Sequence, residues 1–179
     1  MQKHAPPRFC ANATYRRTLP PILSQMQIKN YLKNTENLDS QRILKEWRWL
    51  VGDMSILSLT KAGDILLKDS DNKLWFLDVG YGNIKLISNN FSDFFNRKLN
   101  EDVIKEVLLP QLINKLESEY RLKSNEVFGY TLLPIFGGHY DNKNMYPLDI
   151  YEHYELCGGI HFKIKDLPDG TVIQMKVIE

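Results

Sequence analysis

Ser55-Ile56-Leu57-Ser58-Leu59-Thr60, Lys61-Ala62-Gly63, Asp64-Ile65-Leu66-Leu67-Lys68, Asp69-Ser70-Asp71-Asn72, Leu74-Trp75-Phe76-Leu77-Asp78-Val79, Tyr81-Gly82-Asn83, Ile84-Lys85-Leu86-Ile87: this run decides the fold. Short apolar segments are punctuated by clusters of Gly, Asp and Asn, the residues that supply tight turns between antiparallel strands. The run predicts a four-stranded β-meander over Ser55–Thr60, Asp64–Lys68, Leu74–Val79 and Ile84–Ile87.

Outward from the meander the signals are helical. Upstream, Ile28, Tyr31 and Leu32 suggest a short helix. Asp39 or Ser40 then caps a second, in which Ile43, Leu44, Trp47, Leu50 and Val51 recur at helical spacing before Gly52 ends it. Downstream, Asn90 or Ser92 caps a helix with Phe94, Phe95 and Leu99, and Asn100 caps one with Val103, Ile104, Val107 and Leu108. Pro110 demands a kink or restart before Leu112, Ile113, Leu116 and Tyr120 carry the stripe on. Val127–Pro134 reads as a strand running into the Gly137-Gly138 turn, 137–148 as a loop, and Asp149–Leu167 as mostly helix. A Pro168-Asp169-Gly170 turn then launches an alternating strand over Thr171–Val177. Strands cluster instead of alternating with helices. The expected class is α+β, with an antiparallel or mixed sheet built from the central β-meander plus the C-terminal strand and packed against several helices.

The chain has 179 residues, 43% hydrophobic and 25% charged, the size and composition of one globular domain with or without a tail. No apolar run approaches the ~20 residues of a membrane-spanning helix. Residues 1–25 hold four of the 23 basic side chains and none of the 22 acidic ones, so the remainder is acidic by three charges. An acidic body disfavours nucleic acid as a direct ligand and suits a basic protein partner. Residues 1–25 also contain Pro6, Pro7, Pro20 and Pro21 and show no periodicity, and Met26 opens the helical sequence. We therefore read 1–25 as a disordered tail or a start assigned too early, and 26–179 as a single domain. Cys10 and Cys157 make no disulfide framework, and a reducing cytoplasm fits.

The sharpest chemical constellation is Asp149, His153, Cys157 and His161, spaced four residues apart. Neighbours at that spacing share a helix face, and all three residue types ligate zinc. Against a metal site, each step drifts by ~40°, so the ends diverge by ~120°. Gly158 and Gly159 are expected to interrupt the helix, and no His-Glu-x-x-His frame is present. Cys157 with either histidine is a second possibility, a nucleophilic pair, but a reactive thiol needs a helix N-terminus or cationic surroundings. Gly137-Gly138 and Gly158-Gly159 fit no phosphate-binding frame. No catalytic residues, metal or cofactor are expected. Trp47 and Phe95 read as core, whereas Trp75 and Phe76 lie on opposite faces of one strand, so that one faces outward. The candidate partner-binding residues are Trp75 and Tyr81, the acidic turn of Asp69 and Asp71, and the polar loop of His139, Tyr140 and Asp141. Glu117 and Glu119 add to the acidic surface.

Three groups of short motifs stand out: Phe128-Gly129-Tyr130 with Leu133-Pro134 and Gly137-Gly138, Met145-x-x-Leu148-Asp149, and Ile160-His161 leading to Lys165-Asp166-Leu167-Pro168-Asp169-Gly170-Thr171. Together they resemble the C-terminal domain of type VI secretion immunity proteins, which in larger members follows a GAD-like domain. Gly63-Asp64-Ile65-Leu66, Leu77-Asp78 and Trp47-x-x-Leu50-Val51-Gly52 extend the resemblance to roughly Leu44–Val177. The stretch before Leu44 is too short for a GAD-like domain, so the resemblance is to a stand-alone copy. It implies a bacterial, cytoplasmic, non-enzymatic protein that neutralises a cognate secreted toxin by stoichiometric binding. Members with a known role neutralise a nuclease effector. The alternatives are a regulatory scaffold of the same fold that binds a housekeeping protein, and a metal-dependent enzyme using His153, Cys157 and His161.

Overall fold

The computed structural model describes residues 28–96, 99–168 and 170–173. The expected tail over 1–25 and the Met26 start lie outside them. Five strands form one antiparallel sheet in sequential order: β1 (Leu32–Lys33), β2 (Ser55–Thr60), β3 (Ile65–Lys68), β4 (Leu74–Asp78) and β5 (Asn83–Ser88). The meander is the expected one, widened at its first edge. Leu32, read as helical, pairs instead with Thr60. Ile65, Leu66 and Leu67 are all fully buried, so central β3 is covered on both faces of the sheet, since successive side chains point to opposite sides.

Before β2 the chain forms α1 (Ser40–Leu44), a 3-10 turn (Lys45–Trp47) and α2 (Arg48–Val51). The Asp39 side chain caps α1 by accepting from the amides of Gln41 at 3.0 Å and Arg42 at 3.1 Å. After β5 come α3 (Ser92–Phe95), α4 (Glu101–Leu108) and α5 (Pro110–Glu119). Asn100 caps α4 through the Asp102 amide at 2.9 Å. The restart at Pro110 is sharp: Leu109 takes a left-handed conformation (φ 46°, ψ 50°), and Pro110 opens α5 where its missing N–H costs nothing.

A second, two-stranded antiparallel sheet follows, β6 (Glu126–Tyr130) with β7 (Met145–Asp149), and the chain enters α6 (Ile150–Ile164). Three expectations change here. The 137–148 stretch, read as loop, ends in β7. Pro147 masks that strand in the sequence, yet it sits opposite Phe128 in a two-stranded ladder where an edge position needs no N–H. Gly158 and Gly159 do not interrupt α6, which runs through both. Residues 171–173 carry no strand, and the rest of the expected C-terminal strand lies outside the described residues. The architecture is α+β.

The two sheets meet through a few hydrogen bonds rather than a shared ladder: the Phe128 amide donates to the Lys61 carbonyl at 2.8 Å. α6 fills the gap between them. Its buried side, Ile150, His153, Tyr154, Cys157, Gly158 and His161, packs on the meander turns and on the Lys45–Trp47 turn.

Candidate functional site

The row Asp149, His153, Cys157 and His161 is committed to holding α6 in place. Asp149 caps the helix: one carboxylate oxygen accepts from the amides of Tyr151 at 2.9 Å and Glu152 at 3.3 Å, the other from the Asn125 side chain at 2.8 Å. His153 is 1% exposed, and its Nε2–H donates to the Gly63 carbonyl at 3.1 Å. A carbonyl only accepts, so this bond fixes the tautomer and leaves Nδ1 as an acceptor. The Cys157 thiol lies 3.8 Å from it and is the donor. His161 Nε2–H donates to the Val79 carbonyl at 3.0 Å, and its ring packs 5.5 Å from that of Trp47. Trp47 in turn donates its indole N–H to the Tyr154 carbonyl at 3.0 Å. Both histidines therefore pin α6 to the β2–β3 and β4–β5 turns, which lie side by side at one end of the meander.

The electrostatics run against catalysis by this row. Burial lowers the His153 imidazole to about 4, with the bond to Gly63 opposing. Burial also pushes the Cys157 thiol up to about 12, and the Asp64 charge pushes the same way. The pair is a neutral thiol donating to a neutral ring, not a thiolate beside an imidazolium. Gly82 makes room for His161: a Cβ there would collide with the imidazole, and its φ of +64° already disfavours any side chain.

A polar and aromatic cluster beneath the helix joins two of the candidate residues, Tyr81 and Tyr140, to two buried or half-buried aspartates that are not among them, Asp64 and Asp78. Asp64, 1% exposed, accepts the Val79 amide at 2.9 Å and so ties the β2–β3 turn to the end of β4. Burial and the neighbouring charge of Asp78 raise its carboxyl well above the ordinary range. Asp78 accepts from the Tyr140 hydroxyl at 2.8 Å and the Tyr81 amide at 3.0 Å. Tyr140 stacks on Tyr81 with ring centroids 6.2 Å apart and meets Tyr130 edge-on at 5.4 Å. Both aspartates belong to short motifs singled out above, Gly63-Asp64-Ile65 and Leu77-Asp78, but only the fold shows them to be neighbours.

The seven candidate partner-binding residues divide between two ends of β4. Tyr81, Tyr140, His139 and Asp141 gather at its C-terminal end. His139 is exposed, whereas Asp141 turns inward to accept the amides of Lys143 at 2.9 Å and Asn144 at 3.0 Å. Asp69, Asp71 and Trp75 lie at the other end, about 16 Å away along the five-residue strand. There the Asp69 carboxylate accepts the Trp75 indole N–H at 2.8 Å and Asp71 pairs with Lys73 at 2.9 Å. Phe76, on the opposite face from Trp75, is buried.

Two surface concavities flank α6. One, about 490 Å³, is lined by Trp49, Tyr81, Ile135, His161, Lys165 and Leu167 among others. The second, about 310 Å³, lies between α6 and the β6–β7 sheet, with Tyr130, His153 and Cys157 at its base. Phe136 lines both. Among the described residues, no three or more His, Cys, Asp or Glu side chains are placed to hold a metal ion, and no helix is long and apolar enough to cross a membrane.

The matched part of the chain runs from the end of β5 into α6 and leaves out the meander turns on which α6 is seated. Residues 88–161 match the family model of the T6SS immunity protein Tdi1, C-terminal. The chain thus resembles that domain over α3 to α6, a narrower span than the motifs suggested. No curated protein matches the sequence. Among solved structures, the crystal structure of Atu4351 from Agrobacterium tumefaciens is similar with a TM-score of 0.46 and 14% identity, covering 67% of this chain. This chain spans 64% of that one, and a likeness of that size carries no argument.

Proposed function

We propose that this protein is an immunity-type inhibitor that binds a cognate secreted toxin one to one in the cytoplasm and blocks it without bond-making of its own. The observation that carries the reading is the match of residues 88–161 to the Tdi1 C-terminal family. The structure supports it: the side chains with catalytic potential, His153, Cys157 and His161, are spent on holding α6 to the meander. The body, acidic by three charges outside residues 1–25, suits a toxin with a basic cleft, as in an enzyme that cuts nucleic acid, and would be steered towards it. Of the two candidate surfaces, the end carrying Tyr81, 48% exposed, with the exposed His139 and the half-buried Tyr140 and Asp141 is our choice for contact, because Tyr81 there also lines the 490 Å³ concavity.

Co-expression with the secreted effector encoded beside this gene tests the reading. Growth rescue and a one-to-one complex on size exclusion, weakened by added salt, are expected. Neither rescue nor complex would overturn it.

A further inference from the structure

The groove between α6 and the β6–β7 sheet has the chemistry of a docking site for one kind of segment. Three large apolar side chains surround it while remaining partly in water: Leu156 at 63% exposure, Leu132 at 41% and Tyr146 at 38%. Single exposed leucines are ordinary; three around one concavity are not. At the base the polar atoms of His153 and Cys157 are spent on internal bonds, and the Tyr130 hydroxyl, which has no partner, is buried out of reach of the groove. His153 uses Nε2 on the Gly63 carbonyl, Nδ1 accepts from Cys157, and the thiol proton is thereby used as well. The lining is mostly apolar, so it suits an apolar side chain better than a small polar ligand. The one charged residue on the rim is Glu152. It is exposed and has no ion-pair partner among the described residues, in contrast to Glu155 on the same helix, which Arg42 neutralises at 2.8 Å.

We infer that this groove seats a large apolar side chain of the toxin, with a Lys or Arg of the same toxin segment on Glu152. The assignment rests on the immunity reading and gives it a surface continuous, through Phe136, with the cavity lined by Tyr81. Glu152 is unpaired among the described residues and the chain outside residues 1–25 is acidic by three charges, so a basic protein fits the groove better than a second copy of this chain.

The test uses the full chain and the effector encoded beside it, with the dissociation constant measured for wild type, Leu156→Asp, Leu132→Asp, Glu152→Lys and Asp71→Lys at two salt concentrations. Either leucine substitution weakens binding about 30-fold or more, as expected of an anchor pocket. Glu152→Lys weakens it about 10-fold and flattens its salt dependence. Asp71→Lys, at the far end of β4, leaves it unchanged. The unfolding midpoint of Leu156→Asp stays close to the wild-type value, because that side chain is 63% exposed. If wild type binds and Leu156→Asp binds as tightly, the groove assignment falls while the immunity reading stands. If wild type does not bind, both fall. A dimer in sedimentation that Leu156→Asp dissociates, or a small molecule in native mass spectra that Leu156→Asp releases, would give the groove another occupant and overturn the assignment.

Discussion

The two sides of α6 differ in a way opposite to what their residue types suggest. The inward side carries His153, Cys157 and His161, the vocabulary of catalysis and metal binding, and every one is consumed in fixing the helix. The outward side carries Glu152, Leu156 and Ile160, unremarkable by type, and it is the side with unspent surface. Reactive side chains do not make a site when burial removes their charge and backbone carbonyls take their hydrogen bonds.

The inward side breaks most severely at Gly82. A Cβ there enters the His161 ring from a backbone already at φ +64°, so Gly82→Ala combines overpacking with backbone strain. We expect a loss of about 4 kcal/mol, read as a shift in the urea unfolding midpoint. A variant as stable as wild type would show that α6 is not pinned at that turn.

The sharpest contrast within one helix is Gly158 against Gly159. A Cβ on Gly158 would lie 2.7 Å from the Glu46 Cβ and 2.9 Å from the Trp47 indole nitrogen, whereas one on Gly159 meets nothing within 4 Å. Gly158→Ala should cost about 3 kcal/mol, and Gly159→Ala should gain up to about 1 kcal/mol from helix propensity. Equal effects in chemical denaturation would remove the distinction between the two sides.

The same pair shows what a sequence displays and what it hides. Turn chemistry made the meander legible, and local capping made Asp39, Asn100 and the break at Leu109-Pro110 legible, because each is decided within a few residues. Local propensity marks Gly158-Gly159 as a break, but close packing of Gly158 against Trp47 decides it. β7 was hidden by Pro147, which only a two-stranded edge tolerates. The four-residue spacing of Asp149, His153, Cys157 and His161 is visible in the sequence. The histidines' acceptors at Gly63 and Val79 are 90 and 82 residues away, and no periodicity reveals them.

Acid provides the next test. The folded protein holds His153 at about 4 against 6.5 for an ordinary histidine. On acidification the unfolded chain therefore takes up the proton first. The stability from the neutral imidazole is complete above about pH 6.5 and is lost as pH falls towards 4, by up to about 3 kcal/mol. Asp64 acts with the opposite sign, since its raised carboxyl favours the protonated folded state as pH falls. The His153 contribution is thus the difference between wild type and His153→Gln in stability measured from pH 7.5 to 4. A pH-independent difference would contradict the buried neutral ring.

The outward side should be the least sensitive. Leu156 is 63% exposed, so replacing it by Asp removes little buried area, and the expected change in stability is within about 0.5 kcal/mol. That small number gives the contrast its force. If Leu156→Asp costs as much as Gly158→Ala in thermal unfolding, Leu156 is part of the core's support, and the groove is a packing defect rather than a surface. If it costs nothing, the leucine is not explained by folding, and a binding role is the remaining physical reason for three large apolar side chains to ring one concavity.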